Sequence, residues 1–161
     1  MVHNVAPVRF IRAALPRMLQ RDKGDIINVA SLGAYINVVT MENYGATKTY
    51  LISFTESLHV ALMGTGIRLQ ALAPGGTVTE FHSRLGADFT KEQMRWMKPE
   101  EVVDKSLRAL EKAQVLCIPS FKGRLIVKLV SALPRPIYYK VMKFIGEKVK
   151  KKWDIIEKAK A

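Results

Sequence analysis

The sequence contains a single cysteine, Cys117. One thiol cannot form an internal disulfide, so the disulfide-stabilised scaffolds of small secreted proteins are excluded. Cys117 lies in the apolar run Val-Leu-Cys-Ile, where we expect a structural thiol that behaves as a small hydrophobic side chain rather than a nucleophile. A reducing compartment, and hence a cytoplasmic protein, fits this cysteine usage best.

Long apolar runs are missing as well. No segment reaches the roughly 18 uninterrupted apolar residues that a membrane-spanning helix needs, and the amino terminus lacks the pattern of a secretory signal. The three histidines, His3, His59 and His82, share no metal-ligand spacing. We therefore expect neither a secreted nor an integral membrane protein, and no metal site.

The composition is that of one globular domain, with 161 residues of which 48% are hydrophobic and 25% charged. The net charge of +12 is unevenly distributed. Residues 1–120 carry 14 Lys and Arg against 11 Asp and Glu, whereas residues 121–161 carry 12 against 3. We therefore divide the chain into a compact domain, residues 1–120, and a basic tail, residues 121–161.

Within the compact domain the apolar spacing alternates between helical and strand patterns. It predicts helices at 5–21, 42–63 and 99–112, and strands at 25–31, 67–73 and 115–119. In the third helix Val103, Leu107 and Leu110 form an apolar stripe. This alternation predicts an α/β fold with right-handed crossovers and a parallel sheet flanked by helices.

Three strands are few for a parallel sheet, and the first of them is left at an open edge. The strand at 25–31 is apolar without clean alternation, which predicts burial on both faces. We therefore expect the sheet to be incomplete on its amino-terminal side, with further residues belonging before Met1.

The tail combines apolar and basic residues. Residues 125–133 are largely apolar, two prolines interrupt the run, and an apolar face then recurs on a basic helix at Ile137, Val141, Ile145 and Val149. Three interpretations stay open, namely a helix pair packing on the domain or a partner subunit, a peripheral membrane contact, and a nucleic-acid arm. The aliphatic residues favour the first two over nucleic acid.

Three residues predict chemistry. Ser31 ends the first predicted strand, and Tyr44 and Lys48 share a face of the following helix, one turn apart. A phenol, with an ordinary pKa near 10, exchanges protons near neutral pH only where a nearby charge stabilises the phenolate. The Lys48 ammonium has the right charge and spacing, and the Ser31 hydroxyl could hold a substrate oxygen beside Tyr44.

The segments Asn-Val-Ala-Ser31, Tyr44-Gly-Ala-Thr-Lys48 and Pro74-Gly-Gly-Thr-Val-Thr79 stand in the order and spacing of the short-chain dehydrogenase/reductase family. The chain resembles that family over residues 1 to about 120. The resemblance implies a Rossmann-like domain and a reversible NAD(P)(H)-dependent reduction of a carbonyl to an alcohol. It also implies a small-molecule substrate and a homo-oligomer, and the tail is similar to those of dehydrogenases acting on lipidic or oxoacyl substrates.

The resemblance assigns catalytic roles residue by residue. It implies that Tyr44 is the acid/base, and that Lys48 lowers the pKa of Tyr44 and contacts the nicotinamide ribose. Ser31 would position the substrate oxygen. Asn4 would complete a tetrad by holding a water that relays protons to Lys48.

The resemblance also implies a cofactor pocket. Pro74 and Gly75 would line the nicotinamide site, Thr77 would contact the carboxamide through its backbone, and Thr79 would approach the cofactor. Thr77 stands where Val or Ile is more usual, which a backbone contact should tolerate. Beyond this pocket, a loop segment carries Met94, Trp96 and Met97. These side chains either line an apolar substrate site or make ordinary loop packing contacts.

The front of the chain departs from the family, because the strand and glycine-rich turn that hold the pyrophosphate are missing. Gly64 and Gly66 follow a helix and precede a strand, the reverse of the order that phosphate binding needs. A truncated gene, a misplaced start codon and a second chain stay open as explanations. We somewhat prefer NADP(H) over NAD(H), and expect no cofactor if the truncation abolishes binding. The alternative function is a catalytically silent fragment that binds a membrane surface or a partner.

Overall fold

The computed structural model describes residues 3–36, 41–79 and 96–160, with side chains described as far as Glu147. The elements that position the site are, in chain order, α1 (Val5–Gln20), β1 (Gly24–Val29), α2 (Glu42–Ala61), β2 (Ile67–Leu72), α3 (Pro99–Glu111), β3 (Leu116–Cys117), α4 (Phe121–Ala132) and α5 (Arg135–Lys160). A 3₁₀ helix, Leu32–Ala34, follows β1. Every helix and strand predicted before residue 120 is present, with ends shifted by no more than two residues.

The strands form one parallel sheet in the order β1, β2, β3. Gly24 pairs with Ile67 and Val29 with Leu72, so β1 and β2 run in register along their whole length. Leu72 in turn pairs with Cys117 of β3. The predicted α/β fold with a parallel sheet is therefore confirmed, and all three strands end at one edge of the sheet.

β1 is an edge strand of the described sheet. Among the described residues no strand pairs with its second side, and Val29 and Asp25 are exposed. The expectation that this strand is buried on both faces was wrong, because Asp25 and Val29, whose side chains share one face of the sheet, are both exposed. The Arg68 guanidinium of β2 binds the Asp25 carboxylate with two hydrogen bonds, at 2.7 and 2.8 Å, and thereby lowers the pKa of Asp25.

β2 forms the centre of the core and buries a polar side chain, Gln70, completely. The Gln70 amide nitrogen donates to the carbonyl oxygens of Ser106 and Gln114, at 3.1 and 3.3 Å. Its amide oxygen accepts from the Ser106 hydroxyl at 2.6 Å. Both ends of the amide are thus paired, which removes the main cost of burying it.

The Gln70–Ser106 pair also sets the rotation of α3. Its buried residues are Val102, Ser106, Ala109 and Leu110. Of the apolar stripe read from the sequence, Leu110 is buried, whereas Val103 and Leu107 are exposed. An unpaired buried amide costs about 1–3 kcal/mol. The free energy gained by pairing Ser106 with Gln70 therefore outweighs that of burying the neighbouring apolar residues of α3.

The amino ends of β1 and β2 are held together by two loops in close contact. The Gly66 N–H donates to the Asp22 carboxylate at 2.6 Å. A Cβ at Gly66 would collide with the backbone carbonyl oxygen of Asp22. Gly66 is therefore required by the close approach of two backbones, and it lies at the amino-terminal end of the sheet rather than at the end where ligands bind.

The tail helices pack on the domain through few side chains. Tyr138 and Met142 of α5 are buried, and the Tyr138 hydroxyl donates to the Tyr35 carbonyl at 3.2 Å. Ile137, the first residue of the apolar face read from the sequence, is exposed. The buried position is instead Tyr138, which offers a large apolar ring and a hydroxyl that finds a partner. None of the described helices contains an apolar stretch sufficient to span a bilayer.

Candidate active site

Strand pairing continues beyond the carboxyl ends of β1 and β2. The Ala30 N–H donates to the Leu72 carbonyl at 2.7 Å, and the Leu32 N–H donates to the Pro74 carbonyl at 2.9 Å. The segment that carries Ser31 therefore lies directly beside the turn that carries Pro74. The sequence placed both at this edge of the sheet, and the structure brings them together.

Ser31 is extended, with φ −167° and ψ 156°, and its hydroxyl oxygen accepts from the Gly33 N–H at 3.1 Å. This bond caps the 3₁₀ helix that follows β1. Because a hydroxyl is both donor and acceptor, the capping bond leaves its own hydrogen to be donated elsewhere. The side chain is thus held in place by its backbone while it can still donate a hydrogen bond.

Ser31 and Tyr44 both lie next to Gly33. A Cβ at Gly33 would lie 3.3 Å from Tyr44 Cε1 and 3.4 Å from Ser31 Oγ. Tyr44 is in the first turn of α2 and half-buried. The phenol ring and the serine hydroxyl therefore flank the same glycine, and a side chain at position 33 would press on both.

Lys48 lies one turn beyond Tyr44, with its Nζ 5.6 Å from the centroid of the Tyr44 ring. The ammonium donates to the Val29 carbonyl at 2.8 Å. Since the N–H of the next residue, Ala30, faces β2, the Val29 carbonyl faces the uncovered side of β1. An ammonium has three donors, so this bond leaves two for other partners.

Burial lowers the pKa of Lys48, because a low-dielectric surrounding disfavours the charged form. The unfolded chain, with the ordinary pKa of 10.5, therefore binds more protons than the folded chain between the two pKa values. Wild-type stability consequently rises with pH across that window and carries the full desolvation cost below it.

This sign gives a prediction for Lys48→Met, which keeps the length of the side chain and removes the charge. The free energy of unfolding of the variant, minus that of the wild type, should fall as the pH rises towards 10.5. Urea unfolding of both proteins from neutral to alkaline pH measures this difference. Lys140→Met, on an exposed face of α5, gives the baseline for loss of a lysine. A difference that stays flat or rises would contradict the argument.

The start of α1 lies beside the phenol. The His3 ring meets the Tyr44 ring edge-on, with centroids 6.2 Å apart and planes at 84°. Asn4 follows, and its side chain makes no capping bond to α1. Its Oδ1 is buried and has no hydrogen-bond partner among the described residues. The structure therefore places Asn4 next to a residue that contacts Tyr44, whereas its relay to Lys48 stays a prediction.

The turn after β2 leaves the backbone N–H and C=O of Thr77 directed away from the neighbouring chain segment. The Gly76 carbonyl accepts from the Met97 N–H at 3.2 Å, and the Val78 N–H donates to the Met97 carbonyl at 3.1 Å. Neighbouring peptide groups of an extended segment point in opposite directions, so the N–H and C=O of Thr77 face away from Met97. The Thr77 hydroxyl donates to the Gly75 carbonyl at 3.2 Å, and Thr79 is exposed.

Leu32 connects this turn to the tail, a contact that sequence reasoning missed. Its Cδ1 lies 3.0 Å from the position of a Cβ at Gly75 and 2.8 Å from that of a Cβ at Gly123. The leucine thus fits between two glycines, one beside the predicted nicotinamide pocket and one in α4. The first turn of α4 therefore packs against the residue next to Ser31.

The remaining candidates are mostly structural. Met97 packs against a buried cluster that includes Leu72 and Val102, and the Trp96 indole lies against Gly76. Cys117 is buried, and burial raises the pKa of its thiol, which disfavours the reactive thiolate. Within the described ranges no three His, Cys, Asp or Glu side chains come together to hold a metal ion. Met94 and His82 lie outside the described residues.

The chain is similar to several known proteins. The carbonyl reductase family member 4 of Xenopus laevis is 30% identical over 117 residues, covering 71% of this chain and 50% of that protein. The NADP-dependent 3-hydroxy acid dehydrogenase of Schizosaccharomyces pombe is 32% identical over 124 residues, covering 70% and 48%. A solved short-chain dehydrogenase from Sphingobium yanoikuyae, in complex with NADPH, is 28% identical with a TM-score of 0.68, covering 82% and 54%.

The chain spans about half the length of these relatives. The model of the family described as short chain dehydrogenase matches residues 2–89, more than half of the chain. That match includes Ser31, Tyr44, Lys48 and the turn at Pro74. The chain belongs to the short-chain dehydrogenase family.

Proposed function

We propose that this chain carries the proton-transfer site of an NAD(P)(H)-dependent oxidoreductase that interconverts a carbonyl and an alcohol. The observation that carries the proposal is the Tyr44 phenol ring 5.6 Å from the Lys48 ammonium, at the sheet edge where the Ser31 hydroxyl also lies. The relatives support it, since two are named as a carbonyl reductase and a hydroxy acid dehydrogenase, and one is solved with NADPH.

In the direction of reduction, the Tyr44 hydroxyl gives its proton to the substrate oxygen while the carbonyl carbon gains a hydride. The Ser31 hydroxyl donates a hydrogen bond to the same oxygen and holds it beside the phenol. The Lys48 ammonium stabilises the phenolate that remains on Tyr44. In oxidation the phenolate accepts the alcohol proton and Ser31 keeps the oxygen in place.

A nicotinamide group would supply the hydride in reduction and accept it in oxidation. The residues present suit its binding. Lys48 keeps two donors for ribose hydroxyls, and the N–H and C=O of Thr77 face away from Met97, as a carboxamide contact needs. Pro74 and Gly75 would line the ring, and the buried, unpartnered Asn4 Oδ1 suits a relay water. Thr79, at the exposed end of the turn, stays a prediction, as does the preference for NADP(H).

The experiment that tests this function is a fluorescence titration of the purified chain with NADPH and NADH, followed by turnover with a panel of ketones and oxoacyl compounds. We expect saturable binding, tighter for NADPH, and oxidation of the reduced cofactor only when a carbonyl substrate is present. Lys48→Met should weaken binding about tenfold, by loss of charge-assisted hydrogen bonds. Lys140→Met, distant on the tail, should bind as the wild type does.

Absence of binding at millimolar cofactor would overturn the enzyme proposal for this chain. The catalytically silent fragment, acting at a membrane surface or on a partner, would then be the better description. Binding of cofactor without turnover of any substrate in the panel would instead limit the failure to the choice of substrates, provided that Tyr44→Phe binds equally.

A further inference from the structure

The outward face of α4 is apolar. Phe121, Leu125 and Leu129 recur at every fourth position and are 72%, 49% and 59% exposed. These three residues form a surface that we call the α4 stripe. The opposite side of the helix packs inward at Gly123, which is buried against Leu32. The inward contact fixes the rotation of α4, so the stripe is turned away from the domain.

Basic residues border the α4 stripe on both sides. Successive helical residues are rotated by about 100°, which places Lys128 beside Phe121 and Lys122 beside Leu129 around the helix. Both lysines are exposed. The tail as a whole carries 12 Lys and Arg against 3 Asp and Glu. The surface therefore combines an exposed apolar strip with a positive surrounding.

We propose that the α4 stripe docks on a lipid surface that contains anionic phospholipids. The three apolar side chains would enter the boundary between headgroups and acyl chains, and the flanking lysines would lie at the depth of the lipid phosphates. Charge complementarity selects this occupant. A nucleic acid would use the lysines but not an exposed Phe and two Leu, and an uncharged apolar partner would leave the excess of lysines without a role.

The lipid surface would also lie close to the site. Gly123 in the first turn of α4 contacts Leu32, the residue that follows Ser31. Docking through α4 would therefore hold the carboxyl edge of the sheet near the membrane surface. The docking surface consists of residues that take no part in the proposed chemistry, so it can be tested without turnover.

The test is co-sedimentation of the full chain with vesicles of phosphatidylcholine, with and without phosphatidylglycerol. We expect at least about tenfold stronger partitioning onto the anionic vesicles. The double variant Leu125→Ser/Leu129→Ser should lose about tenfold in partitioning at low salt. Val103→Ser/Leu107→Ser is the matched control, since it removes two apolar side chains on α3 that are 54% and 48% exposed, and it should bind as the wild type does. Circular dichroism checks that both variants fold.

Three outcomes would overturn the proposal. Equal partitioning of the stripe variant and the wild type would show adsorption by charge alone. Retention on DNA or RNA without vesicle binding would assign the tail to nucleic acid. A dimer that the stripe variant loses, again without vesicle binding, would assign the stripe to a second copy of the chain. None of these outcomes depends on whether the chain binds a nicotinamide cofactor, so failure here is distinct from failure of the proposed enzyme function.

Discussion

Replacement of Tyr44 by Phe should abolish the interconversion of carbonyl and alcohol while leaving the fold and cofactor binding intact. Phenylalanine keeps the ring that contacts Gly33 and His3, and it removes only the hydroxyl that exchanges the proton. General acid–base catalysis contributes about 10²- to 10⁴-fold, so kcat should fall by at least about a hundredfold. Steady-state oxidation of the reduced cofactor measures the loss.

Tyr50→Phe provides the matched control on the same helix. Tyr50 is exposed and stacks on Phe54, with ring centroids 6.0 Å apart, so loss of its hydroxyl should leave turnover unchanged. A Tyr44→Phe protein that keeps more than about a tenth of the wild-type kcat would fall outside the range expected for a lost acid/base. The proton donor would then have to be sought in another group, and the described titratable neighbours of the phenol ring are Lys48 and His3.

Gly66→Ala should strongly lower the free energy of unfolding. The new Cβ would collide with the backbone carbonyl of Asp22, and relief of the collision would separate the Gly66 N–H from the Asp22 carboxylate. Overpacking costs about 1–3 kcal/mol, and loss of a hydrogen bond to a charged group costs about 1.5–3 kcal/mol. We therefore expect the free energy of unfolding to fall by about 3 kcal/mol or more, measured by urea denaturation.

Two other glycines distinguish this cause from a general effect of alanine. At Gly24 the three atoms nearest to a new Cβ all belong to the Met18 side chain, at 2.6–2.9 Å, and none belongs to a backbone carbonyl. At Gly64 the surroundings are open but φ is +88°, so alanine should cost about 1–2 kcal/mol through backbone strain alone. Equal losses at positions 64 and 66 would show that the contact with Asp22 does not matter.

The parts of the structure that the sequence predicted are those that local patterns encode. Apolar spacing predicted the helices and strands, and parallel strands must end at one edge, so Ser31 and Pro74 could be placed together from the sequence alone. Helix periodicity in turn placed Lys48 one turn beyond Tyr44. Their closeness is therefore a property of helix geometry and sheet direction rather than of detailed packing.

The parts that could not be predicted depend on contacts between distant residues. The rotation of α3 follows from Ser106 bonding to Gln70, 36 positions away, and that of α5 from Tyr138 bonding to Tyr35, 103 positions away. The bond from Lys48 to Val29 requires an uncovered carbonyl on β1. Such pairings leave no periodic signal, because each joins one side chain to one partner.

Several inferences from the resemblance stay predictions. The relay through Asn4, the cofactor contacts of Thr77 and Thr79, the preference for NADP(H) and the homo-oligomer each concern a group or partner beyond this chain. The division at residue 120 is also a prediction, based on a change in charge. Measurements of cofactor binding and of assembly test them directly.

Leu32 packs between Gly75 of the domain and Gly123 of the tail. This contact limits how freely the tail can be removed or replaced by that of another protein. A protein cut after Ser120 would lose Gly123 and uncover the leucine beside Ser31. A tail transplanted from another protein would have to present a glycine at that position, since a Cβ there would lie 2.8 Å from Leu32 Cδ1. A chain redesigned to bind another surface should therefore keep the first turn of α4 with the domain and replace only the later turns of the tail.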